Sequence, residues 1–154
     1  MSFSMIFSII MIIAFVGIAI YAITTFLHWG KCGEIGLYYN ELQNEVTKAW
    51  QGEISRSVFK AKIPIGIEKV CFGNLTQTPD VLSREEQEFL RKYESSNGNI
   101  FMYLPEKACD QQLASTTIKH ARTEKFFCVL VEREEAAVKL IKEVDESEVL
   151  LESG

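Results

Sequence analysis

No charged side chain precedes Lys31. All 16 Lys and Arg and all 21 Asp and Glu lie after residue 30, so the net charge of -5 belongs wholly to the later part of the chain. That part lacks a basic excess. This excludes nucleic acid as a partner, since phosphate binding needs a cationic face, and it argues against a domain lying flat on anionic lipid. Histidine is nearly absent: only His28 and His120 occur, with no H-x-x-x-H pair to hold a metal on a helix. No C-x-x-C pair is present, which removes the common zinc and thioredoxin-type arrangements. The chain also lacks a G-x-S-x-G elbow, a G-x-x-x-x-G-K-[ST] phosphate loop and a G-x-G-x-x-G turn. Its clustered carboxylates, such as Glu85, Glu86 and Glu88, suit the start of a soluble helix rather than acid–base work in a cleft. The expectation is a non-enzyme with no cofactor, no metal and no small-molecule substrate.

What the first thirty residues do contain is apolar length. Phe3 to Trp29 reads FSMIFSIIMIIAFVGIAIYAITTFLHW. As a helix it would reach roughly 40 Å, more than the ~30 Å hydrocarbon core of a bilayer. It is apolar on every side, so lipid or copies of itself must surround it. Secretory signals carry a basic start, a shorter apolar core and a small-residue cleavage site. None of these is found here, and an uncleaved anchor is expected. Tyr21, His28 and Trp29 suit the headgroup level. Residues 1–30 are thus read as a transmembrane helix, and 31–154 as one small domain.

After GKCG (30–33), which reads either as a hinge or as a weak spot in one long helix, helical spacing resumes. Ile35, Tyr38, Leu42, Val46, Ala49 and Trp50 form one stripe, so 34–51 is predicted to be an amphipathic helix stopped by Gly52. Tyr39 sits beside the stripe and is expected to face solvent or a neighbouring chain. The region 56–152 reads as sheet. Strands are predicted at 56–63, 67–73, 99–104, 116–119, 125–132 and 138–144, with a last segment at 148–152. Ser83 and Glu86 form a capping box for a short helix over 83–94. REEAA (133–137) is read as a turn although it has no glycine, with helix continuation as the competing reading. The fold class is α+β: a long N-terminal helix, transmembrane and then amphipathic, packed on a small antiparallel sheet of about five strands with one short inserted helix.

Cys32, Cys71, Cys109 and Cys128 permit three complete pairings. Cys71 and Cys128 sit inside apolar strand-like runs, VCF and FFCVLV, and two core strands can bring their Cβ atoms within ~4 Å. That bridge is the preferred one; the alternative is two small buried residues with free thiols. Asn74-Leu75-Thr76 is a glycan acceptor triplet in a polar stretch. The even cysteine count and the Asn74 triplet favour an extracytoplasmic domain, and Lys31 alone counts against it.

The succession of an apolar helix over 3–29, an amphipathic continuation over 34–51 and a small β-rich domain resembles the type IV pilin-like proteins, with an archaeal-type layout. The resemblance covers the whole chain and is one of architecture. It implies a structural subunit whose apolar helix spans the membrane and then packs with its copies in a filament core. Phe7, Ile10, Ala14, Gly17 and Tyr21 would then lie on the assembly helix, with Gly17 allowing close approach. Precursors in that family carry a short charged leader, and many bacterial members show a glutamate where Met5 stands here. The competing expectation is a single-pass anchored accessory or binding domain that does not polymerise.

Overall fold

Helix α1 runs unbroken from Phe3 to Gln51, 49 residues or about 73 Å. The structure is a computed structural model and describes residues 3–77, 84–103, 108 and 113–154. GKCG is therefore not a hinge. Gly30, Gly33 and Gly36 each lower helix stability by ~1 kcal/mol, yet all three lie inside the helix. The apolar run holds the ladder on one side of them, and a packed stripe holds it on the other. Gly52 ends the helix, its N–H donating to the Ala49 carbonyl at 3.2 Å.

The buried stripe of α1 comprises Ile35, Tyr38, Tyr39, Leu42, Val46 and Ala49. It is wider than the sequence pattern suggests at one edge and narrower at the other. Tyr39 is buried, and its hydroxyl donates to the Leu113 carbonyl at 2.9 Å. Trp50 is instead 38% exposed. The spacing admits Tyr39, which stands four residues after Ile35 and three before Leu42. Only the sheets around the helix decide how much of its circumference is covered.

Among the described residues eight strands follow α1: β1 (Ser55–Lys62), β2 (Lys69–Phe72), β3 (Ile100–Met102), β4 (Ser115–Thr116), β5 (Ala121–Arg122), β6 (Phe127–Leu130), β7 (Glu135–Lys142) and β8 (Val149–Ser153). They divide into two four-stranded sheets, in the orders β1-β7-β8-β5 and β4-β3-β2-β6. All pairings are antiparallel except β5 with β8. The α+β class holds, with the strands shared between two sheets. Helix α1 packs on β1, β7 and β8 of the first sheet. Helix α2 (Arg84–Lys92) lies between β2 and β3 in the chain and buries Phe89, followed by buried Tyr93. Ser83 of the expected capping box lies outside the described residues. One continuous core runs from Ile35 through Phe72, Phe101 and Leu140 to Leu151.

The chain passes between the sheets at Glu132–Glu135. Glu132 and Glu135 exchange both backbone hydrogen bonds, at 2.9 and 3.0 Å, across Arg133 and Glu134. Both central residues take positive φ, 52° and 65°. This is the geometry of a two-residue hairpin that usually selects Asn-Gly. The turn reading of REEAA holds for Arg133 and Glu134, while Glu135, Ala136 and Ala137 already belong to β7; the turn's backbone cost of roughly 1–2 kcal/mol per residue is offset by the eight-residue β1–β7 ladder that follows. Where the sequence predicts one strand over 116–119, β4 ends at Thr116 and a turn intervenes before β5.

Candidate functional site

The candidate site is α1 itself, in two halves. In the first half Phe7, Ile10 and Tyr21 are exposed, as are Ala14 and Gly17. Its most apolar stretch has no buried residue. A cylinder of isoleucine, phenylalanine and valine with nothing covering it is long and apolar enough to cross a membrane as a single pass. A Cβ added at Gly17 would meet nothing within 4 Å, so no contact inside this chain requires glycine there.

The second half is the domain's central strut. Gln43 holds Lys119 from both sides: the Lys119 N–H donates to Gln43 Oε1 at 2.8 Å, and Gln43 Nε2 donates to the Lys119 carbonyl at 3.3 Å. Asn99 does the same one residue earlier, accepting from the Ile118 N–H at 2.8 Å and donating to its carbonyl at 2.9 Å. Two side-chain amides thus fix the turn that follows β4. His120 takes φ 62° and stacks on Trp50, with ring centroids 3.9 Å apart. Trp50 Nε1 donates to the Ser147 carbonyl at 2.9 Å. His120 is therefore a packing partner of the helix end. Sequence reasoning missed this clamp because its residues lie 76 positions apart.

Tyr38 and Tyr39 lie at the centre of the packed half. Tyr38 makes edge contacts with Phe59 and Tyr39. Burial pushes the pKa of both phenols up and keeps them un-ionised; for Tyr39 the proximity of Tyr93 and Tyr38 adds to it. The Tyr38 hydroxyl is buried with no hydrogen-bond partner among the described residues. Such a group costs roughly 1–3 kcal/mol in desolvation. Tyr38→Phe is therefore expected to leave stability unchanged or raise it by about 1 kcal/mol, read from urea unfolding in detergent micelles. A loss of more than about 1 kcal/mol would mean that the hydroxyl is bonded.

Cys71 and Cys128 form a disulfide across directly opposed positions of β2 and β6, with their Cα atoms 3.9 Å apart. Cys71 is fully buried and Cys128 is exposed. Cys32, just past the apolar run, is disulfide-bonded as well. Cys109 lies outside the described residues. Asn74 is exposed immediately after β2, where its side-chain oxygen accepts from the Thr76 N–H at 3.1 Å. Among the described residues no group of three or more His, Cys, Asp or Glu could hold a metal ion. Among the described residues Lys48 pairs with Glu45 and Arg56 with Glu143 at the surface, and Arg122 pairs with Glu146 half-buried.

No protein-family model, no curated protein and no solved structure matches the chain. The long apolar helix continued into a β-rich domain fits a pilin-like layout, and that likeness is architectural.

Proposed function

We propose that this chain is a membrane-anchored structural subunit, pilin-like in plan, which self-associates through the apolar half of α1 into an extracellular filament. The observation that carries this reading is the continuity of the helix. α1 passes from an apolar half whose most apolar stretch has no buried residue into the middle of the domain core without a hinge. A domain that only needed tethering would be served by a flexible linker. A rigid strut instead transmits the orientation of each apolar helix to its domain, which regular assembly requires. A helix apolar all round can exchange lipid for neighbouring helices at little cost, since both are equally apolar. An extracytoplasmic domain accords with the Cys71–Cys128 and Cys32 bridges, which persist in oxidising compartments. The role is structural, with no reaction assigned.

Shearing cells and imaging the released material tests the proposal. Filaments containing the chain are expected in the sheared fraction. Gly17→Leu, which meets no neighbour within the chain, is expected to cut filament yield roughly tenfold while leaving membrane insertion intact, because it blocks close helix approach. A protein found only as monomers in the membrane pellet would replace the filament reading with an anchored accessory domain.

A further inference from the structure

A groove of about 670 Å³ opens where α1 leaves the apolar run, between the helix and the turn that follows β1. That size is within the range of small-molecule seats. Phe26, Leu27 and Gly30 form its helical wall, and Pro64 and Ile65 face them. The turn is rigid. The Ile67 N–H donates to the Pro64 carbonyl at 3.4 Å, and Gly66 takes φ 105°, which places Ile65 at the tip. The Ile63 N–H donates to the Glu134 carbonyl at 2.8 Å, tying the turn to the 132–135 hairpin.

Ile65 is 71% exposed. Turn tips in water are usually Gly, Asn, Asp or Ser, because nothing covers a side chain there. The level of this turn supplies a cover. A bilayer core is spanned by about twenty helical residues, so an apolar run ending at Trp29 leaves hydrocarbon near residues 24–29. The groove's helical wall is that same segment. The turn therefore stands over the headgroup layer, and the groove continues the lipid-facing surface of the anchor upward into the domain. Its rim carries one cation, Lys62, and two carboxylates, Glu34 and Glu134. An acidic rim with a single lysine suits a head bearing both phosphate and ammonium better than a purely anionic one.

We propose that this groove seats one zwitterionic membrane phospholipid, with its upper chain against Phe26, Leu27 and Pro64, its head among Lys62, Glu34 and Glu134, and Ile65 in the headgroup layer. The domain then rests on the bilayer at a fixed height. This goes beyond the assembly reading and does not depend on it.

The test uses the full chain reconstituted at high dilution in phosphatidylcholine vesicles, where no filament is needed. An environment-sensitive fluorophore is attached at Ile65→Cys or, separately, at Val144→Cys. Val144 is equally exposed but follows β7, at the end of the domain beside the C-terminus of α1, roughly 30 Å further from the membrane exit. A nitroxide lipid labelled near its headgroup is expected to quench the probe at 65 roughly fivefold more than the probe at 144. Equal quenching at the two sites would overturn the proposal. A photoactivatable phosphatidylcholine is expected to give adducts on residues 24–34 or 62–65. Filling the groove with Gly30→Trp, where a Cβ meets nothing, should reduce those adducts roughly threefold without changing labelling of 6–23. Adducts confined to 6–23, or cross-links from 65 to a second copy in place of lipid, would overturn it. Equal adduct yield with photoactivatable phosphatidylglycerol would overturn the headgroup assignment. Absence of filaments in cells would leave every one of these readouts unmoved.

Discussion

Replacing Cys71 and Cys128 together by alanine is expected to lower the unfolding free energy by about 4 kcal/mol, a large share of the roughly 5–15 kcal/mol that a domain possesses. The bridge closes a loop with a sequence separation of 57 residues. Opening it restores to the unfolded chain the freedom that the crosslink removes, and the chain-entropy estimate for such a loop is about 4 kcal/mol. The folded state loses less. Cys71 is buried against the core, so its alanine leaves only a small void, and Cys128 is exposed. The β2–β6 register, from Lys69 opposite Leu130 to Phe72 opposite Phe127, is kept by backbone bonds and by the stacking of Phe72 on Phe127. The check is urea unfolding in detergent micelles, comparing the double variant with the oxidised and fully reduced chains. Reduction should cost at least as much as the double substitution, because it also opens the bridge of Cys32. A loss below about 1 kcal/mol would show that the unfolded chain is already compact around β2 and β6.

Leu42→Ala is expected to cost 2–5 kcal/mol, on the order of any full leucine truncation in a packed core. Leu37→Ala, one and a half turns away on the same helix, should stay within about 0.5 kcal/mol. The contrast follows from exposure: Leu42 is 0% exposed and Leu37 is 60% exposed. Leu42 lies in the stripe that α1 packs on β1, β7 and β8, and a cavity there loosens the domain's hold on its own anchor. The measurement is the same urea titration, with protease digestion of the membrane-embedded protein as a second readout. Equal losses at the two positions would mean that the helix presents a different face to the sheets. A large loss at Leu42 alone ties folding of the domain to the helix that anchors it.

Helical spacing was plain in Ile35, Leu42, Val46 and Ala49, because an amphipathic stripe records one local period. Strands β1, β2, β7 and β8 were legible within one to three residues at each end, since each alternates or carries a short apolar run. The pairing of Cys71 with Cys128 followed from their placement inside two such runs. Less visible was the turn at Arg133 and Glu134, whose positive φ values no glycine or asparagine announces. Tyr39 and Trp50 exchanged the places expected of them. The helix can offer both, and the breadth of its cover belongs to the sheets. The clamp of Gln43 on Lys119 and the stack of Trp50 on His120 had no local signature at all.

An uncharged apolar stretch longer than a bilayer is thick dictates its own surroundings, because transfer of each side chain from water depends on that side chain alone. Composition and order therefore settled a helix long and apolar enough to cross a membrane, the acidic region beyond it and the α+β class. Contacts between distant segments depend on how several elements close on one another. The folded chain alone decided that GKCG would be strut rather than hinge, that the strands would divide into two sheets, and that the turn at Ile65 would face Phe26, Leu27 and Gly30 of α1. Each of these balances a local backbone cost against packing, and the packing exists only once residues far apart in the chain have met.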